Sequence, residues 1–166
     1  MATVLFIKRA DLVRNSIIDG NVDTDKFIQF IKIAQEIHIR NYLGTDLYNK
    51  IASDIQSNTL SGDYLTLVNT YIQPMLIHYA MVDYLPFASF SIKNGGVFKH
   101  SSENSETATK EEVDFLANKE RDIAEYYTRR FIDYMNFNQS SFPEYTSNTN
   151  DDVHPDNDAT FQGWQL

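Results

Sequence analysis

Hydrophobic residues between Phe27 and Ile51 recur at a spacing typical of α-helices, and they cover most of the circumference of the predicted helix. One narrow polar stripe interrupts them, formed by four residues three or four positions apart: Gln29, Lys32, Glu36 and Arg40. A helix with so little polar surface is expected to be buried. Its predicted core face carries Phe27, Phe30, Ile31 and Ala34.

A glycine is expected to end this helix. Gly44 lies where a left-handed C-terminal residue is typical, and Thr45 directly after it can cap a second helix. The apolar residues of this second helix recur at helical spacing: Leu47, Tyr48, Ile51 and Ile55. The pattern therefore predicts a tight corner between two helices at residues 43–46.

Two more long helices are predicted further along the chain. Apolar residues recur at helical spacing over residues 63–85, where Pro74 is expected to kink or split the helix. Thr109 and Glu112 form a capping box, and the helix behind it is predicted to run to Phe137.

Two segments show the spacing of β-strands instead. Apolar and polar residues alternate near residues 89–99, around a turn formed by Asn94, Gly95 and Gly96, which predicts a β-hairpin. The β-branched run at residues 3–7 predicts a short N-terminal strand. Because an isolated hairpin is marginally stable in water, it must pack on this domain or be completed by a neighbouring copy.

The last part of the chain differs from the rest in composition. Residues 138–166 contain five acidic residues and no Lys or Arg, so they carry −5 of the formal net charge of −9. A segment of this composition becomes ordered only along another surface. Its natural anchors on a partner are aromatic: Phe142, Tyr145, Phe161 and Trp164. The alternative is that this tail folds back on its own domain.

These elements predict a mainly α protein. The expected fold is a bundle of three to four helices with a small β-hairpin, a short N-terminal strand and an extended C-terminal tail. We divide the 166 residues into a helical domain at 1–137 and the acidic tail at 138–166. Deletion of the tail is then expected to leave the helices intact.

Composition excludes several classes of function. The chain has no cysteine, which rules out disulfides, zinc–thiolate sites and thiol nucleophiles. A pI of about 4.7 and the lack of clustered Lys and Arg argue against a protein that grips nucleic acid. No apolar run approaches the roughly 18 residues of a membrane span, so we expect no membrane contact and synthesis in the cytosol.

No motif for catalysis, cofactor binding or metal binding emerges from the sequence. The four histidines match no metal-binding spacing: His38, His78, His100 and His154. The acidic residues between Asp151 and Asp158 do not match a calcium-binding loop. We therefore predict a protein that is not an enzyme and has no metal or cofactor. The alternative is a small helical enzyme or ligand-binding protein that uses His78 and Tyr79 in a bundle pocket.

The order of these motifs resembles that of a known family. The stretch from Ala34-Gln35 to Leu47-Tyr48, the Asn94-Gly95-Gly96-Val97 hairpin and the Glu125-Tyr126-Tyr127 helix are similar to those of head–tail connector proteins of tailed bacteriophages. These are also called adaptor or head-completion proteins, and the resemblance is strongest to those of Bacteroidetes phages, including crAss-like phages. It covers residues 3–137.

The resemblance implies a structural role in the virion. Connector subunits form a dodecameric ring below the portal protein, extend the channel through which double-stranded DNA passes, and carry the next ring or tail protein. It implies a position in the virion neck after assembly in the host cytoplasm. The expected interface residues are Asn94, Gly95 and Gly96 in the hairpin and Phe142, Tyr145, Phe161 and Trp164 in the tail. A helical interaction module without a viral role is a further alternative.

Overall fold

The computed structural model describes residues 4–18, 24–99, 107–149 and 152–159. These residues are mainly helical, which confirms the predicted fold class. Their α-helices are α1 (Arg9–Asn15), α2 (Thr24–Ala34), α3 (Arg40–Ser57), α4 (Gly62–Thr66), α5 (Gln73–Tyr84), α6 (Lys110–Asn138) and α7 (Pro143–Ser147). Two strands, β1 (Phe90–Lys93) and β2 (Gly96–Lys99), pair as an antiparallel hairpin.

Two pairs of helices are joined end to end by π-helical turns. Gln35–Ile39 connects α2 to α3, and Leu67–Ile72 connects α4 to α5. Pro74 follows the second of these turns, in the first turn of α5. Because proline has no N–H to donate to the preceding turn, a widened turn before it accommodates the missing bond. The disruption predicted at Pro74 is therefore a local widening of a continuous helical rod.

The core lies around α5, which packs against α2 and α6. Buried residues cover most of the circumference of α5, from Met75 to Val82. The predicted core face of α2 is confirmed, because Phe27, Phe30, Ile31 and Ala34 are all buried. The opposite side of α2 and of the π-helical turn that follows it is less buried than expected, since Ile33 and Ile37 are exposed. The central helix is thus α5 rather than α2.

The N-terminal strand predicted at residues 3–7 does not form in the described residues 4–7. Residue 3 lies outside the described part of the chain. Glutamine side chains take the place of a neighbouring strand. Gln35 donates through Nε2 to the Val4 carbonyl at 2.7 Å and accepts from the Phe6 N–H at 2.9 Å. Gln73 donates to the Phe6 carbonyl at 3.2 Å. Because these bonds satisfy the backbone, the segment needs no strand partner.

The end of the chain returns to the body. After α6, a single 3-10 turn leads into α7, and the adjoining Phe142 and Tyr145 are buried. These two residues belong to the core, so the prediction that they anchor a partner is wrong. The C-terminal segment, which we define as residues 148–149 and 152–159, lacks regular secondary structure and lies along α3. The boundary predicted after residue 137 therefore falls within the packed body.

Tyr48 connects the N-terminal segment to α3. Its hydroxyl accepts a hydrogen bond from Gln35 Nε2 at 2.9 Å and donates one to Glu36 Oε1 at 2.7 Å. Burial raises the pKa of Tyr48 to about 12, and the bond to Glu36 adds to this rise. Burial also raises the pKa of six other tyrosines: Tyr42, Tyr64, Tyr79, Tyr84, Tyr134 and Tyr145.

We expect the free energy of unfolding to fall as pH rises above about 10, the ordinary pKa of tyrosine. A tyrosine whose pKa is raised by folding holds its proton more tightly in the folded chain. Its contribution to stability is complete below the unfolded-state pKa and is lost as pH rises through the folded-state value. Tyr48→Phe removes one such group, so urea unfolding should show a shallower decline between pH 10 and 12. An unchanged slope would contradict this role of Tyr48.

Candidate interaction surfaces

The hairpin projects from the helical body after α5 and makes few contacts with the helices. Phe90 pairs with Lys99 at its base, and Lys93 pairs with Gly96 beside the turn. The turn residues Asn94 and Gly95 are exposed, as is Gly96. Gly96 has a φ of 131°, which favours glycine, and a Cβ placed there would meet no atom within 4 Å. The predicted hairpin and its turn are confirmed.

The hairpin exposes apolar side chains and open strand edges. Phe90 is 46% exposed and Val97 65%, and Phe87 just before β1 is exposed as well. In the described part of the chain the sheet has only these two strands, so neither outer edge has a strand neighbour. Exposed strand edges are ready to pair with another chain. The hairpin is therefore the first candidate surface for a partner.

A line of aromatic residues forms a second exposed surface. Phe115, Tyr126 and Phe137 on α6 are 60%, 53% and 91% exposed. They are spaced eleven residues apart, which is about three helical turns, so they lie in one row. Leu116 and Ile123 flank this row and are partly exposed. We call the row of Phe115, Tyr126 and Phe137 the α6 aromatic face.

Charged residues lie between these aromatics. The Lys119 ammonium is 5.7 Å from the centre of the Phe115 ring and 3.9 Å from Asp122 Oδ2. One turn beyond Tyr126, the Arg130 guanidinium lies 5.5 Å from the centre of the Tyr71 ring. All of these charged groups are exposed, so α6 presents both apolar and ionic groups to a partner.

Shallow depressions open at both ends of the α6 aromatic face. The first is lined by Thr109, Glu112, Phe115 and Leu116, at the start of α6. The second lies at the end of α6, where its lining includes Tyr134 and Phe137. The spacing of three and four residues along α6 predicts its buried side and not this surface. The eleven-residue spacing of aromatics was the signal that could have revealed it.

The corner within α3 is held by the C-terminal segment. Gly44 has φ 73° and ψ 162°, which confirms the predicted corner. The Thr45 N–H donates to the Val153 carbonyl at 2.9 Å, and the Asp46 N–H donates to Asn148 Oδ1 at 3.2 Å. The first N–H groups after a helix break have no partner within the helix. The C-terminal segment supplies those partners and so completes the corner.

Ion pairs on the exposed side strengthen this attachment. Arg40 donates to Glu36, one helical turn before it, at 3.0 Å and to Asp152 at 2.6 Å. Asn41 donates from its side chain to Asp156 at 3.2 Å and accepts the Asp156 N–H at 3.0 Å through its carbonyl. Two acidic residues of the tail, Asp152 and Asp156, thus bind it to its own domain.

Two histidine–carboxylate pairs join helices inside the bundle. His78 Nδ1 on α5 lies 2.6 Å from Glu120 Oε2 on α6. His38 Nε2 on the first π-helical turn lies 3.5 Å from Asp83 Oδ2 on α5, and its ring stacks on Tyr79 at 4.1 Å. Each pair bridges two elements of the core, so both histidines contribute to the packing of the bundle.

Tyr79, the other residue of the candidate bundle pocket, is fully buried. Its hydroxyl lies 3.1 Å from Thr128 Oγ1, which itself donates to the Ala124 carbonyl at 2.8 Å. The depressions at the two ends of α6 and beside α2 reach neither Tyr79 nor His78. The structure thus brings the residues of this candidate together but offers a ligand no opening at these places.

The remaining predicted interface residues, Phe161 and Trp164, lie outside the described residues. Within the described ranges, no group of three or more His, Asp or Glu side chains could hold a metal ion. No helix in the same ranges is both long enough and apolar enough to span a bilayer.

The fold and these surfaces define a helical protein with a projecting hairpin and a C-terminal segment that packs on its own helical corner. The chain belongs to a family of unknown function, DUF6712, whose model matches residues 39–154. The match crosses the boundary predicted after residue 137 and includes residues 148–149 and 152–154 of the C-terminal segment. No curated protein and no solved structure matches the chain.

Proposed function

We propose that this protein is a head–tail connector, or adaptor, of a tailed bacteriophage. It assembles into a ring below the portal protein, extends the DNA channel and links the capsid to the next ring or tail protein. The observation that carries this proposal is the projecting hairpin. Its Phe90 and Val97 are exposed, and its outer edges have no strand neighbour in the described chain. In a ring, a neighbouring copy covers these groups.

Two further observations support a structural subunit. The helical body is well packed, with large side chains such as Phe27, Phe131 and Phe142 fully or almost fully buried, so it forms a rigid element for assembly. The net charge of −9 suits the wall of a DNA channel, because a surface that repels phosphate lets DNA slide without sticking. A binding site at His78 is less well supported, because its Nδ1 already lies 2.6 Å from Glu120 Oε2 within the bundle.

The test is electron microscopy of the purified chain mixed with its candidate portal protein, encoded by a neighbouring gene. We expect rings of the chain on the portal and no rings without it. If the chain binds none of the portal proteins encoded by neighbouring genes, the connector assignment is overturned.

The hairpin has its own test within this experiment. The double variant Phe90→Ser with Val97→Ser should lose the rings while its circular dichroism stays unchanged, because both side chains are substantially exposed. Leu65→Ser, which changes a residue of 40% exposure on α4, is the matched control and should leave the rings intact. Rings that survive the double variant would show that another surface joins the subunits.

A further inference from the structure

We propose that the α6 aromatic face binds the same face of a second copy, with the two α6 helices antiparallel around a two-fold axis at Tyr126. The three aromatics of this face point away from the core, since the residues on the opposite side of α6 are buried. Across its 22-residue span the row is about 33 Å long at the usual helical rise. Exposed aromatic residues aligned along one side of a helix mark a surface for association.

The positions along α6 favour a second copy as the occupant. In an antiparallel pair, residues equally distant from Tyr126 face each other. Phe115 and Phe137 are both eleven residues away from it, so the two aromatic ends meet. Phe137, the most exposed of them, then faces the shallow depression that Phe115 helps to line. A projecting ring on one copy thus meets a recess on the other, twice in each dimer.

The charges along the same face are complementary in this arrangement. Lys119 and Asp133 are both seven residues from Tyr126, and Asp122 and Arg130 are both four away. These steps are close to whole helical turns, so the four residues lie beside the aromatic row. Each acidic residue therefore meets a basic residue of the other copy. In a parallel pair each charged residue would face the identical residue of the other copy, and the two like charges would repel each other.

The size of the contact indicates weak, reversible association. A face about 33 Å long and about 10 Å wide covers roughly 330 Å² on each copy. Stable complexes bury about 800 Å² on each partner. A two-fold pair also cannot repeat around a ring in which all copies point the same way. The pairing therefore belongs to the free chain, and it does not rest on the proposed function.

Sedimentation velocity over a range of protein concentrations tests the proposal. We expect a monomer–dimer equilibrium for the unaltered chain. Phe137→Ala should raise the dissociation constant at least tenfold, because it removes an aromatic anchor from both ends of the contact. Leu65→Ala is the matched control on another exposed surface and should have no effect. A chain that stays monomeric at all concentrations, or a dimer indifferent to Phe137→Ala, would overturn the proposal.

Charge exchange tests the register. Asp122→Arg should weaken the dimer about tenfold, because it places an arginine opposite Arg130 of the other copy at two places in each dimer. Adding Arg130→Asp in the same chain should restore the affinity to within about threefold. The two positions are eight residues apart on one helix, so the rescue must act between copies. A double variant as weak as the single one would contradict this register.

Cross-linking tests the orientation, and the absence of native cysteine makes it direct. A single Tyr126→Cys lies on the two-fold axis and should form a disulfide-linked dimer on oxidation. Phe115→Cys should not, because its counterpart in the antiparallel pair lies about 33 Å away. Cross-linking of both variants would identify a parallel pair and overturn the antiparallel arrangement.

Discussion

Truncation of the chain after residue 138 should unfold the domain. The deletion removes Phe142, which is fully buried between Tyr64 and Tyr134 at ring distances of 5.2 and 6.1 Å. It also removes Tyr145, whose ring meets Phe131 edge-on at 6.4 Å. Loss of one buried aromatic side chain costs about 3–5 kcal/mol. Because domains are stable by only about 5–15 kcal/mol, the loss of both side chains, about 6–10 kcal/mol, together with the C-terminal segment is comparable with the whole stability of the fold.

This expected result reverses the one drawn from composition, in which the helices survive without the tail. Circular dichroism of the truncated chain decides between them. A cooperative thermal transition near that of the full chain would show that residues after 138 are dispensable, and it would contradict the packing of Phe142 and Tyr145 in the core.

A pair of single substitutions isolates the contribution of the core. Phe142→Ala should lower the free energy of unfolding by about 3–5 kcal/mol. Phe137→Ala is the matched control, since the same residue type lies five positions earlier at 91% exposure. It should change the stability by less than about 0.5 kcal/mol. Urea unfolding of both variants measures the difference, and equal effects would show that Phe142 does not belong to the core.

Gly44→Ala should destabilise the domain by about 3 kcal/mol through two separate effects. The φ of 73° lies in the left-handed region, where a side chain costs roughly 1–2 kcal/mol. A Cβ there would also lie 2.8 Å from Cγ and Cδ of Pro155. To make room, the C-terminal segment must move away, which breaks the bond between the Thr45 N–H and the Val153 carbonyl.

A second glycine separates these two effects. Gly62 also has a positive φ, 58°, but nothing lies within 4 Å of a Cβ placed there. Gly62→Ala should therefore show only the conformational cost, about 1 kcal/mol. Combining Gly44→Ala with Pro155→Ala should recover part of the lost stability, because it shortens the side chain that clashes. Equal destabilisation by the two glycine substitutions would show that Pro155 does not pack on the corner.

Features fixed by local chemistry could be predicted from the sequence. The corner at Gly44 follows from the conformational freedom of glycine, and the start of α6 follows from the capping box of Thr109 and Glu112, whose reciprocal bonds measure 2.8 and 3.3 Å. The hairpin turn follows from Asn94 and Gly95 in the same way. Each of these depends on residues within a few positions of each other, so a single sequence is sufficient.

Features that depend on distant partners could not be predicted in this way. The β-branched N-terminal run predicted a strand, but Gln35 and Gln73 satisfy its backbone from two separate helical rods. The polar composition of the tail indicated a segment without a core of its own. Composition averages over many residues, and it gave no sign that Phe142 and Tyr145 fill a space between α3, α4 and α6.

The same limit applies to the candidate surfaces. The hairpin can be predicted because its turn depends only on neighbouring residues. Its exposure is known only from the structure. The α6 aromatic face is harder to predict. The eleven-residue spacing places its aromatics in one row, but it does not show which side of the helix the core leaves uncovered. Once α5 is known to cover the side of α6 that carries Ala124 and Phe131, the side with Tyr126 is the one left to solvent.

The closure of the α3 corner by the C-terminal segment has a consequence for synthesis on the ribosome. The Val153 N–H donates to Thr45 Oγ1 at 3.0 Å across 108 positions of the chain. While residues 142–153 are still inside the exit tunnel, α2 and α3 can form, but their corner has no cap and their core has no Phe142. The nascent chain therefore completes this corner only once residue 153 has emerged, and until then the unfilled core leaves apolar surface exposed.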